Sequence, residues 1–300
     1  MKTMMTRLTA TLILSLCSNV LCLPLTAQSE QAQSALTLPK PRPVTSTLCL
    51  GIGGATVHDT YLTNQVYEGK SLNIDYHRNR LCSQRRWDND QWASFSYTNS
   101  DDRTSEMTSM MTIRLRYHYA KHRTWTLQHS RYSSQSSTLR VGPYAGMNLG
   151  VNYGLSMASA NNPVNVHSTM NLGLSAGYQW QFALRHRPAR LSLQVQTPLL
   201  GNAFRQEYGA SYYETLMLDD ESDPSHFTSL HNQQDLDIRL GADLPVSALK
   251  WLQRFGSSLH IGMSYHIETM DINHLITRYS YCQLTIGWTW QYLPYKAPWL

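Results

Sequence analysis

The sequence predicts an all-β chain: an antiparallel, up-and-down transmembrane β-barrel of about ten strands, preceded by an N-terminal signal peptide. Three observations lead there. From Thr45 to Tyr292 apolar residues alternate with polar ones, the period-two signature of strands with one apolar face. Several of these segments reach the roughly 9 to 11 residues that cross a bilayer at a tilt, beyond the 5 to 6 usual in soluble sheets. Their polar faces carry charges that a dry core would not tolerate.

The N-terminus comes first. Lys2 and Arg7 precede a short apolar run, Leu8 to Leu16, and Leu25-Thr26-Ala27 has the small residues of a cleavage site, which together read as a signal peptide over residues 1–27. A retained anchor would need about 20 continuous apolar residues, and Ser18, Asn19 and Pro24 interrupt the run. Leu16 and Leu21 stand before Cys17 and Cys22, where lipoprotein processing wants a small residue, so lipidation is not expected. Cleavage removes two positive charges and no acids, taking the formal net charge from +5 to +3. With no basic run or zinc-ligand spacing, no nucleic-acid partner is expected. Cys49, Cys82 and Cys282 remain, too few for a disulfide framework although one bridge is allowed.

Residues 28–44 are polar and carry Pro39, Pro41 and Pro43, a composition suited to an extended leader. The barrel domain is read as 45–300. Its clearest strand is Thr169 to Leu184, where Met170, Leu172, Leu174, Tyr178 and Trp180 oppose Asn171, Gly173, Ser175, Gly177 and Gln179. Leu139 to Leu155 repeats this, with Met147, Leu149 and Val151 opposing Arg140, Asn148 and Asn152. Shorter copies occur at Thr47–Gly53, Ser71–Leu81, Trp92–Tyr97, Met110–Tyr119, Arg190–Thr197, Asp235–Leu244, Ser257–Ile267 and Ser280–Tyr292.

A β-sandwich and a lipocalin-like barrel are the soluble alternatives, each with the apolar face inside. The aromatic residues and the charges argue for the inverse arrangement. Tyr117, Tyr119, Tyr153, Tyr178, Trp180, Trp288, Trp290 and Tyr292 lie at or near the ends of apolar faces, as an interfacial girdle requires. Asp75 and His77, Arg114, Arg116 and His118, Arg140, and Asp235, Asp237 and Arg239 share the polar faces, where an enclosed lumen lets them pair and hydrate. A mean hydropathy of −0.38 is compatible, since only half of each strand would face lipid.

With the N-terminus in the periplasm, short and long links should alternate. His186-Arg187-Pro188 reads as a tight turn, and the stretch from Pro198 to about Gln233 reads as the longest external loop, holding Tyr212, Tyr213, Glu214 and the acidic Asp219, Asp220, Glu221 and Asp223. Pro245 to Phe255 reads as a short periplasmic helix, begun by the proline and stopped by Gly256.

Gly51-Ile52-Gly53-Gly54, Asp59-Thr60-Tyr61-Leu62, Tyr67-Glu68-Gly69, Asn161-Asn162-Pro163, Pro198-Leu199-Leu200-Gly201 and Tyr208 to Glu214 follow one another in order. In these motifs the chain resembles a Bacteroidetes family of uncharacterised outer-membrane β-barrels, a domain of unknown function. The resemblance runs from about Thr45 to the end and implies fold, compartment and a Gram-negative source; it transfers no catalytic residue. The polar leader and the terminal Ala297-Pro298-Trp299-Leu300 depart from the family pattern, and the latter bears on recognition of the last strand by assembly machinery.

Candidate chemistry is sparse. His58 and Asp59 are expected in the first external loop, His77 in the lumen, and His226 and His231 in the longest loop with Ser225 and Ser229. No Gly-x-Ser-x-Gly elbow accompanies them, and solvated loop histidines are the plain alternative. His58-Asp59 or the acidic run could attract a metal, but the run lacks the Asp/Asn and Gly spacing of a calcium loop. No catalytic, cofactor-binding or metal residue is assigned, and no cofactor is expected. The expected partners are outer-membrane lipid, lipopolysaccharide and the assembly machinery. About ten strands is near the size whose interior side chains fill, so the expected role is a plugged structural or surface-binding barrel. An enzyme acting on lipid or lipopolysaccharide and a narrow solute channel are the alternatives.

Overall fold

A computed structural model of the chain describes residues 44–82, 87–104, 108–129, 135–155, 163–184, 187–206, 224–245 and 258–292. The expected signal peptide, nearly all of the leader, the helix expected after Pro245, the Tyr212-Tyr213-Glu214 motif and the acidic run lie outside these residues.

The described chain is strand throughout: β1 (Val44–Asp59), β2 (Val66–Cys82), β3 (Trp87–Asp102), β4 (Ser109–His129), β5 (Ser136–Gly154), β6 (Val164–Leu184), β7 (Arg187–Phe204), β8 (Ser225–Ser229), β9 (Gln233–Pro245), β10 (Ser258–Ile272) and β11 (Leu275–Tyr292). Each neighbour in sequence pairs antiparallel from β1 to β7 and from β9 to β11, and β11 returns to β1 with Val44 opposite Tyr292 and Asp59 opposite Thr277. The sheet therefore closes. Closure removes the long sheet edges that a hydrocarbon medium would leave unsatisfied.

β8 and β9 share one place in the wall. The lower part of β7 pairs with β9 as far as Gln196 opposite Asp237, and its upper part pairs with β8 from Leu200 opposite Ser229. The barrel is thus ten-stranded, with residues 230–236 set against only 197–199 of β7. A tight turn takes up the excess: Asn232 N donates to Ser229 O at 3.1 Å, and Ser229 N donates to Asn232 Oδ1 at 2.8 Å. At the β10–β11 hairpin Asn273 and His274 have φ of 54° and 61°, the left-handed pair that a type I′ turn needs.

All ten expected segments fall on strands with the expected faces, except that Leu155 lies in the turn after β5 and Ser257 lies outside the described residues, and most strands extend further. β3 shows why. Its expected core, Trp92–Tyr97, is flanked by Asn99 and Asp101 on the outer face and Asp88 and Asp90 inside, so the hydropathy contrast vanishes while the ladder continues.

Two expectations are corrected. Pro198 does not open the longest loop, because β7 runs on to Phe204: Pro198 keeps its place in the ladder opposite Gly173, and the next residue, Leu199, is bulged out before Leu200 meets Leu172. Ser225, His226 and Ser229 consequently belong to β8 and His231 to the turn that follows. Arg187 and Pro188 likewise fall in β7 rather than in a turn, and His186 lies outside the described residues.

The arrangement is inside-out. Leu284, Ile52 and Leu172 are 67%, 63% and 62% exposed on the outer wall, whereas Arg114, Arg116, Arg140, Asp237 and Glu268 are buried within the barrel. Tyr178, Trp180 and Tyr292 stand on the outer face near the Val44 end of the barrel. An apolar exterior around a charged interior is the membrane-spanning pattern and reverses both soluble alternatives.

Candidate functional site

Inward-facing side chains form three layers between the two ends of the barrel. At the Asp59 end, the last residue of β1 points inward and is completely buried. Its Oδ2 accepts Nδ2–H bonds from Asn152 at 2.7 Å and Asn165 at 2.6 Å, and its Oδ1 lies 3.6 Å from Arg205 Nη2. Leu62 N and Thr63 N donate to the Asp59 carbonyl at 3.1 and 2.9 Å, and Tyr61 N donates to Oδ1 at 3.2 Å. These bonds curl the β1–β2 link over the mouth. Leu62 then packs with Val57, Tyr67, Met110 and Tyr279, an apolar cap within the upper lumen, and Ala203, Met270 and Ile272 form a second apolar cluster.

The middle layer is ionic and aromatic. Arg114 pairs with Glu268 and stacks 3.9 Å from the Tyr279 ring centroid. Arg116 Nη1 donates to Asp237 Oδ1 at 3.0 Å and to His266 Nδ1 at 2.9 Å, while its Nη2 donates to the Tyr281 hydroxyl. Two cations approach the Trp92 ring, Arg116 at 4.6 Å and Arg239 at 4.0 Å from its centroid. Such stacking suits guanidinium, whose planar charge is weakly hydrated. Asp235, Asp237 and His266 are close enough together to hold a cation, and the Arg116 guanidinium supplies one. Glycine makes this packing possible at one position in particular: a Cβ on Gly150 would stand 2.3 Å from His167 Nε2.

Towards the Val44 end, Asp243 accepts from Arg190 Nε at 2.6 Å, His260 Nδ1 at 2.7 Å and Thr289 Oγ1 at 2.9 Å. His77 pairs with Asp90, which also accepts from Gln194 Nε2 at 2.8 Å. Between these groups lies a cavity of about 80 Å³. On the scale of roughly 10–15 Å³ per enclosed water it holds a handful of molecules, far below the 300 Å³ or more of an ordinary ligand pocket.

The histidines singled out in the sequence do not converge. Asp59 is in the mouth rather than in a loop, and adjacent His58 points to the other face of the same strand, so the two cannot share a metal. His77 faces the lumen as expected, but it pairs with Thr47, eleven residues below His58 along β1, roughly 35 Å away at about 3.3 Å per residue. His226 Nε2 meets Asn273 Nδ2 at 3.0 Å, and His231 meets the Ser229 hydroxyl at 2.5 Å. Cys49 is buried in the lumen and Cys282 is exposed on the outer wall. They face opposite ways and are five register positions apart, Cys49 lying opposite Gly287 and Cys282 opposite Gly54, so they form no bridge; the Cys82 side chain lies outside the described residues.

Residues that the sequence did not single out dominate instead: Asn165, Arg205, His266, Glu268 and Tyr281. Period-two alternation could have placed Glu268 and His266 on one polar face of β10, but not opposite Arg114 and Arg116 of β4.

Architecture and surface together define an outer-membrane-type β-barrel with a filled lumen. Within that class, the chain belongs to the family described as a protein of unknown function, DUF3316, whose model matches residues 12–293. No curated protein matches the sequence. Among solved structures, the outer-membrane protease OmpT from Escherichia coli is 9% identical with a TM-score of 0.47, over 86% of this chain and 100% of that one. The transport unit of the autotransporter AIDA-I from Escherichia coli is 7% identical with a TM-score of 0.41, over 87% and 93%. An outer-membrane channel from Pseudomonas putida F1 is 6% identical with a TM-score of 0.33, over 87% and 100%.

Proposed function

We propose that this protein is an integral barrel of the outer membrane of a Gram-negative bacterium of the Bacteroidetes, with a structural or surface-binding role and no open pore. Residues 1–27 are the signal peptide that exports it, cleaved after Ala27. The Asp59 end faces outward, and the partners are outer-membrane lipid and lipopolysaccharide, with assembly machinery acting during insertion. One observation carries this reading: the upper lumen is occupied by the Leu62 cap and the Asp59 network, and the ionic layer lies directly beneath. Ten strands enclose little more than their own side chains, and here those side chains pair across the lumen rather than line a channel.

Planar-bilayer recording on the purified, refolded mature chain tests the reading. The expected result is no large, reproducible conductance; a steady open pore would overturn the assignment. Mass spectrometry of protein extracted from cell envelopes should show an N-terminus at Gln28.

A further inference from the structure

We propose that the cavity at the Val44 end of the lumen binds a small oxyanion of the phosphate type. Two of its guanidinium groups lack the partners that burial demands. Arg140 is 2% exposed, yet its Nε and Nη1 have no hydrogen-bond acceptor among the described residues, and Asp88, the one carboxylate within 4 Å among those residues, stands 3.9 Å off. Arg239 stacks on Trp92 and donates to Gln196, but its Nε is likewise unpartnered. Both line the cavity, as does Ser264, whose buried hydroxyl is also unpartnered.

The acids of the cavity do not meet this need. Asp243 is engaged by Arg190, His260 and Thr289. Asp75 accepts from Asn73 Nδ2 at 2.7 Å through Oδ2 while its Oδ1 is unpartnered, but among the described residues neither acid is within 4 Å of Arg140 or Arg239. A buried donor left without an acceptor costs about 1–3 kcal/mol, more when charged, and a tetrahedral oxyanion offers acceptors in the geometry that guanidinium forks prefer. Size agrees: about 80 Å³ admits such an ion. Entry is from the Val44 end, where the His77, Arg190 and His260 side chains keep 29%, 21% and 17% of their exposure, since the Leu62 cap closes the other end.

Calorimetric titration of the full mature chain, folded in detergent, with inorganic phosphate tests this. A single saturable site is expected, weakened at least tenfold in Arg140→Gln and in Arg239→Gln and unchanged in Glu68→Gln at the opposite end. Far-UV circular dichroism identifies any variant that fails to fold, and because Arg239 is partly exposed its variant keeps the test decisive if Arg140→Gln does not assemble. Absence of saturable binding by the unsubstituted chain, or equal affinity in the folded arginine variants, overturns the proposal.

Discussion

Replacing Asp59 with alanine should destabilise the barrel far more than removing any exposed acid from the same end. The carboxylate is fully buried and accepts from Asn152 and Asn165 at 2.7 and 2.6 Å. Hydrogen bonds to a charged acceptor contribute about 1.5–3 kcal/mol each. The substitution also removes the only carboxylate within 4 Å of Arg205 among the described residues, and breaking a buried pair from one side costs about 3–5 kcal/mol. These contributions overlap, because the network loosens as a unit, so the expected loss is about 3–5 kcal/mol rather than their sum. Glu68 supplies the contrast. Its pair with Arg103 is 3.5 Å long with side chains 50% and 71% exposed, and Glu68→Ala should cost at most about 1 kcal/mol. Urea titration of the protein in vesicles, followed by tryptophan fluorescence, gives the shift in midpoint for both variants. An Asp59→Ala loss under about 1 kcal/mol, or equal to that of Glu68→Ala, would show that the mouth is hydrated and the network idle.

Leu284→Arg places a charge on the outer wall opposite Ile52, near the middle of both strands; in a bilayer it should cost about 2–4 kcal/mol, whereas on a water-facing surface it would cost under about 0.5 kcal/mol, and unfolding in vesicles separates the two. Gly150→Ala brings a methyl to 2.3 Å from His167 Nε2 and should lower stability by about 1–3 kcal/mol through overpacking; adding His167→Ala should recover most of that loss, and a neutral Gly150→Ala would mean that the ring does not rest there.

How much of this was legible in the sequence depends on range. Local alternation along Leu139–Leu155 and Thr169–Leu184 separates inward Arg140, Asn148 and Asn152 from outward Met147, Leu172 and Leu174, and the structure keeps every one on its expected side. Two local features hid themselves. Five residues, Ser225–Ser229, are too few and too polar to announce β8, and Pro198 reads as a strand end because the bulge at Leu199 beside it shows only in the pairing with β6. The lumen network was beyond reach for a different reason. Asp59 meets partners 93 and 106 residues away, and Arg114 meets Glu268 across 154. Periodicity assigns a face but not the register that brings two inward groups to one height, and nothing around His58-Asp59 distinguishes a loop acid from a buried hub.

Lipid around the apolar wall is tested most directly by site-by-site accessibility along β11. Single nitroxide labels at positions 281–286, in chains with the other cysteines replaced by serine and reconstituted in vesicles, would be probed for collision with oxygen, which concentrates in hydrocarbon. Labels at 282, 284 and 286, the exposed positions, should collide frequently, and those at 281, 283 and 285, which are buried, should collide rarely. The same alternation in opposite phase, or no alternation, would contradict the account.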